Sequence, residues 1–142
     1  MGNLRLADYV AEFIENKIGV NHVFLLAGGG NMYLLDAIRE NKNLIPVCNH
    51  HEQACAMAAV GYSKQTNKPG VVIPTTGCGG TNTITGLLDA WQDSHPCIFI
   101  SGQVNKNQTC NYASPLPLRK FGMQEADIVS IVKPITKYAT ML

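Results

Sequence analysis

Leu6, Val10, Phe13, Ile14 and Ile18 recur at the spacing of one helix face, and Asp8, Glu12, Glu15 and Asn16 fill the other. That pattern predicts an N-terminal helix with Gly19 as its stop. The unbroken apolar run Val23–Leu26 reads as a strand. Gly28, Gly29 and Gly30 follow it, and Leu34, Leu35 and Ile38 mark a second helix. Leu44–Cys48 reads as another buried strand despite Pro46. From His51 to Gln65 the chain is rich in small residues, among them Ala54, Ala56, Ala58, Ala59 and Gly61. Such a helix packs close to a sheet or to a second helix. Lys68–Gly70 reads as a turn, Val71–Pro74 as a strand and Thr75–Asn82 as a glycine-rich loop. Ile84, Leu87, Leu88 and Trp91 fall at i, i+3, i+4 and i+7 of a further helix. Cys97–Ser101 is the fourth buried strand. Residues 103–119 are polar and contain proline, which predicts an irregular excursion. Glu125–Val132 should be helical, and Ile135–Leu142 begins a fifth strand.

Apolar strands alternating with helices predict an α/β fold, an open doubly wound parallel sheet with helices on both faces. Residues 1–142 read as one domain, with no internal repeat and no low-complexity tract. A sheet of this kind normally adds a closing helix after its last strand. The chain therefore reads as the C-terminally truncated N-terminal part of a longer protein.

Composition adds exclusions. Hydrophobic residues make up 46% of the chain, enough for one core. Charged residues make up 15%, against about 25% in an ordinary globular domain. A net charge of +1 gives no electrostatic case for nucleic acid or for an anionic membrane. No apolar run approaches the roughly 18 residues of a membrane span. The start, MGNLRLADYV, lacks the apolar stretch of a secretory signal. The low charge also suggests a surface partly covered by another domain or subunit. Cys48, Cys55, Cys78, Cys97 and Cys110 are odd in number and show no C-x-x-C spacing. They predict reduced thiols in the cytoplasm, acting mostly as small hydrophobes. His22, His50, His51 and His95 form no metal-ligand cluster with them.

In open parallel sheets, ligands bind beyond the carboxyl ends of the strands. Three loops belong there: Ala27–Asn31, Asn49–Gln53 and Thr75–Asn82. Their glycines permit positive φ and close backbone approach to a ligand, and would equally serve as tight strand-to-helix turns. Neither glycine loop matches the nucleotide fingerprints G-x-x-x-x-G-K-[ST] or G-x-G-x-x-G. Glu52 stands at the first turn of a helix beside Ala54, Cys55 and Ala56, a poorly hydrated wall. The helix N-terminus favours its charge and burial disfavours it. An acid beside an N-cap is also common in any helix. Cys78 has the placement of an activated thiol, without a local His or acid to support it. His50 and His51 are candidate bases or caps. His95 reads as a turn residue, and Met57 and Met123 as packing residues.

Four ordered stretches carry a family resemblance: VFLLAGGGNMYLLDAI, HEQACAMAAVGYS, GVVIPTTGCGGTNTITGLLDAWQDSHPCIFISGQV and MQEADIVSIVKPITKYA. Together they resemble the N-terminal pyrimidine-binding domain of thiamine-diphosphate-dependent enzymes, specifically the acetolactate synthase (acetohydroxyacid synthase) group. The resemblance covers nearly the whole chain and implies the roles that follow. Glu52 falls on the catalytic glutamate that bonds N1′ of the cofactor's aminopyrimidine. Its proton exchange there sets the tautomer that deprotonates C2 of the thiazolium, which then attacks a 2-keto acid. Gly28, Cys78 and Asn82 match cofactor-binding positions beside the pyrimidine ring. Gly29 and Gly30 match the glycine loop on the substrate side. Met123 and Gln124 match a Phe-Gln pair there, and Gln124 joins Glu52 as a catalytic residue.

The sequence also departs from the family. Ala27 and Cys78 stand where proline is usual, and Met123 where phenylalanine is. The stretch Asn105–Phe121 is longer than in typical biosynthetic acetolactate synthases. The LRKFGMQE wording is similar to acetolactate-synthase-like enzymes of surface-sugar biosynthesis, which transfer a two-carbon unit from pyruvate to another acceptor. The Gly-Asp-Gly motif that holds the divalent metal in the family does not occur, so the resemblance implies no metal ligands in this chain. Mg2+ and the diphosphate are then expected on a diphosphate-binding domain of the same protein or of a second chain. A homo-oligomer, dimer or tetramer, is implied. A bound FAD is compatible with this, its site lying largely outside the region. The isolated chain is expected to be inactive. Two other readings stand beside the carboligase. One is a split subunit of a thiamine-diphosphate-dependent 2-keto acid decarboxylase. The other is a non-catalytic module that keeps the fold, against which the retention of Glu52 argues.

Overall fold

The computed structural model describes residues 4–142 apart from 114 and 116. Helix α1 (Leu6–Phe13) widens into a π turn at Ile14–Ile18. Gly19 ends it at φ 74°, as expected of a left-handed stop. Strand β1 (His22–Leu25) leads through a short 3-10 turn at Gly29–Asn31 into α2 (Met32–Glu40). Strand β2 (Ile45–Cys48) leads into α3 (Glu52–Thr66), and β3 (Gly70–Ile73) follows. The glycine-rich segment after β3 is not a plain loop: it winds one helical turn, α4 (Cys78–Thr81), before α5 (Ile84–Gln92). Strand β4 (Cys97–Phe99) comes next, then α6 (Cys110–Ala113) and α7 (Ile128–Val132).

All pairings are parallel, in the order β2-β1-β3-β4. Strand alternation divides the core. Val23, Leu25, Val71 and Ile73 face α1 and α2, with Ala11 and Ile38 between them. Phe24 and Val72 face the opposite side, against Cys55 and Ala59 of α3. The sheet is therefore doubly wound. From β1 the chain turns one way to β2 and then crosses back to β3 and β4. The switch point lies between the carboxyl ends of β1 and β3, where such folds bind ligands.

Three expectations need correcting. Leu44–Cys48 is not a buried strand: Ile45 is 50% exposed, because β2 is the sheet edge. Pro46, which has no N–H to give, is tolerated there. Helix α1 buries Ala7 and Ala11, and leaves Leu6 and Phe13 exposed. Helix α5 likewise turns Gly86, Leu87 and Ala90 inward and leaves Leu88 and Trp91 outward. The small residues face inward, those of α1 in the core under the sheet and Gly86 of α5 against Ala56 of α3, because close packing there is worth more than reach. The third correction concerns residues 135–142. Lys133–Ile135 forms a 3-10 turn, and no strand follows it among the described residues. A strand needs a partner, and Tyr138 and Leu142 are 79% and 98% exposed.

Candidate functional site

Glu52 opens α3 directly beyond β2. His51 caps the helix by accepting the Gln53 N–H on Nδ1 at 3.1 Å. That bond commits the ring to the cap, one of the two roles its position allowed. The carboxyl group then turns inward, and Glu52 is only 8% exposed. Asn82 Nδ2 donates to its Oε2 at 2.9 Å. The α4 turn makes this reach possible, because the Asn82 N–H donates to the Cys78 carbonyl and brings the side chain back over α3.

Oε1 has no donor among the described residues. The one fully buried side-chain polar atom without a partner there is Ser63 Oγ, so Oε1 keeps access to solvent. A side chain at Gly79 would place its Cβ 3.1 Å from Oε1 and 2.6 Å from Thr75 Cγ2. The main chain can pass this close to the carboxyl only because position 79 is glycine.

The Gly28–Gly30 loop joins from β1. None of the three glycines has positive φ; Gly28 is extended at φ −164°. Space is what they supply. A Cβ at Gly28 would run into Thr75, and one at Gly30 into Thr76. The Gly30 N–H donates to Thr75 Oγ1 at 3.1 Å. Gly29 meets nothing within 4 Å and is open. The third loop arrives through its main chain. Gly77, at φ 61°, has the Gln124 carbonyl where its own side chain would stand.

Glu52, Asn82, Gly28, Gly30 and the Cys78 turn thus converge at the switch point. Gln124 meets them by its backbone, itself at φ 55°. The Met123 side chain is 84% exposed, so it does not pack as the sequence suggested, and Met57 is 49% exposed. Cys78 is exposed at the start of α4. Its neighbour in kind, Cys55, accepts from Asn49 Nδ2 at 3.6 Å, and burial pushes its thiol above the ordinary range. Among the described residues no three His, Cys, Asp or Glu side chains gather to hold a metal ion. No described helix is long and apolar enough to cross a membrane.

Several site residues escape a reading of pattern alone. Asn31 is 1% exposed and fastens the two central strands: Nδ2 donates to the carbonyls of Leu26 and Ile73, and Oδ1 accepts from Gly28 N–H. A lone polar residue directly after three glycines was the available signal. Thr75 and Thr76 line the same seam. Glu125 gathers the last loop, accepting from the Cys110 and Phe121 N–H groups and from the Cys110 thiol.

Comparison with known proteins points the same way. Residues 4–131 match the family of the thiamine pyrophosphate enzyme, N-terminal TPP binding domain. The acetolactate synthase large subunit of Lactococcus lactis is 40% identical over 122 residues, covering 86% of this chain and 20% of the relative. The chloroplastic acetolactate synthase of Arabidopsis thaliana is 37% identical over 135 residues, covering 93% of this chain and 18% of the relative. That of Haemophilus influenzae, a large subunit, is 36% identical over 139 residues, covering 98% and 22% respectively. The chain spans about a fifth of the length of these curated relatives.

Proposed function

The chain belongs to the thiamine pyrophosphate enzymes as their N-terminal, TPP-binding domain of acetolactate synthase type, and on that premise we propose that it forms the pyrimidine half of a thiamine diphosphate site in a pyruvate-using carboligase. The observation that carries this reading is Glu52: a carboxyl group 8% exposed, held on one oxygen and open on the other, at the switch point of the sheet.

The residues present fit the group. A Cβ at Gly79 would come within 3.1 Å of Glu52 Oε1, so the main chain beside the buried acid is kept bare, while Gly28 and Gly30 pack their own main chain onto Thr75 and Thr76. When bound, the cofactor would supply the carbanion chemistry of 2-keto acid decarboxylation and two-carbon transfer. The protein's part is to hold a proton at Glu52 Oε1, to orient that oxygen and to shape the floor beneath it. Gly28 and the Cys78 turn would line the pyrimidine side. Gly29, Gly30, Met123 and Gln124 would line the substrate side, Gln124 with a catalytic role. The exposed Met123 side chain is the natural point at which this protein's acceptor differs from that of acetolactate synthases, as in an enzyme of surface-sugar biosynthesis.

Mg2+ and the diphosphate would be held by a diphosphate-binding domain of the same protein or of a partner subunit in a homo-oligomer. Exposed Leu6, Tyr9, Phe13, Tyr33 and Trp91 supply apolar surface for such contacts. Five free cysteines suit a reducing compartment, the cytoplasm. The test is direct: the full protein, given thiamine diphosphate, Mg2+ and pyruvate, should release carbon dioxide and form a carboligation product. Pyruvate left unconsumed would count against the reading. Carbon dioxide and acetaldehyde without a ligated product would favour the 2-keto acid decarboxylase instead.

A further inference from the structure

Buried acids need a donor, and Glu52 has one that carries no charge. Among the described residues the Asn82–Glu52 bond is the only side-chain hydrogen bond either residue makes, and no ion pair involves Glu52. The two residues lie 30 positions apart. They meet because α4 reverses the chain over the start of α3. A lysine or arginine in the same place would lock the carboxylate in its charged form. An amide neither gives up nor takes a proton at physiological pH. It fixes one oxygen and leaves the proton traffic to the other.

We propose that Asn82 is a positioning residue that acts on the cofactor through Glu52: it engages Oε2 and presents Oε1, beneath Gly79, to the pyrimidine. This rests on the function proposed above and adds to it, because the resemblance set Asn82 beside the ring as a direct contact. The two roles differ in their coupling. A residue that works through Glu52 loses its effect once the carboxyl is gone, whereas a direct contact keeps it.

The experiment is a double-mutant cycle on the full protein, with magnesium-dependent thiamine diphosphate binding read by calorimetry. Asn82→Ala alone should weaken binding roughly tenfold, the scale of a hydrogen bond to a charged group. On a Glu52→Ala background the same change should alter affinity by less than about twofold. If Glu52→Ala does not fold, Glu52→Gln keeps an acceptor without the charge and should shrink the Asn82→Ala effect by at least half. Equal losses on both backgrounds would overturn the proposal. A second readout needs no cofactor: the Asn82 side-chain amide resonances should shift in Glu52→Gln. Unmoved amide resonances would also overturn it. Wild-type protein that binds no thiamine diphosphate would instead sink the parent reading, and Asn82's role toward the cofactor with it.

Discussion

The carbonyl of Gln124 occupies the place where a side chain at Gly77 would stand, and both residues have positive φ, 55° and 61°. This contact keys the loop after β4 to the loop after β3, and so brings the Met123–Gln124 pair to the mouth of the site. Gly77→Ala meets two obstacles. Its ψ of −112° with positive φ is a region that only glycine enters freely, and the new Cβ strikes main chain. We expect a loss of about 1–3 kcal/mol from the backbone conformation, with amide exchange quickening across residues 122–125. A variant as stable as wild type, with unchanged exchange there, would show that the two loops are not coupled.

Asn31 holds the carboxyl ends of β1 and β3 together. Asn31→Ala would orphan two carbonyls and one N–H, each costing about 1–3 kcal/mol where burial is complete. We expect a loss of about 2–4 kcal/mol in urea unfolding, seen as a lower midpoint at unchanged slope. Asn31→Asp should be no better, since a carboxylate cannot donate to Leu26 and Ile73. A loss below about 0.5 kcal/mol in both, the scale of ordinary surface substitutions, would contradict the bridging role.

Glu125 gives the last loop a dependence on pH. The Cys110 thiol, then the Cys110 and Phe121 N–H groups, hold its carboxyl below the usual range. The same bond with Glu125 pushes the Cys110 thiol up. A carboxyl depressed in the folded state stabilises above its unfolded value, near 4.3, and that contribution is lost as pH falls through the folded value. The Cys110 and Phe121 amides should therefore lose exchange protection on acidification below about pH 4, before the sheet does. Glu125→Gln should show weak protection already at neutral pH. Protection independent of both pH and the substitution would refute the clamp.

The sheet was legible in the chain because its strands are short apolar runs between helical patterns, and periodicity reports that directly. The small-residue face of α3 was legible too: Ala56 lies against Gly86 of α5, where a Cβ would come within 2.5 Å of the Ala56 Cβ. What periodicity missed was orientation. In α1 it favoured Leu6 and Phe13, while packing chose Ala7 and Ala11, because a helix tight against a sheet selects for size before hydrophobicity. Edge and centre were also indistinguishable for β2, whose composition matches that of a buried strand. At the site, Glu52 and Asn82 could be named from sequence. Their bond could not, because it depends on an α4 turn that seven residues of glycine, threonine and cysteine do not announce. Positive φ, open to the glycines of both loops, is taken at Gly77 and not at Gly28–Gly30, since the first loop needed room and the second needed a reversal.

Glu52 remains the centre of the account, and one substitution addresses it. Glu52→Gln keeps the shape of the side chain and an acceptor for Asn82, and removes the carboxyl's charge together with its exchangeable proton. In the full protein, with thiamine diphosphate and Mg2+ saturating, kcat for pyruvate should fall by about 10²–10⁴-fold while the folded structure is unchanged. A kcat within about threefold of wild type, well short of that general acid–base contribution, would contradict the role of this carboxyl in the chemistry.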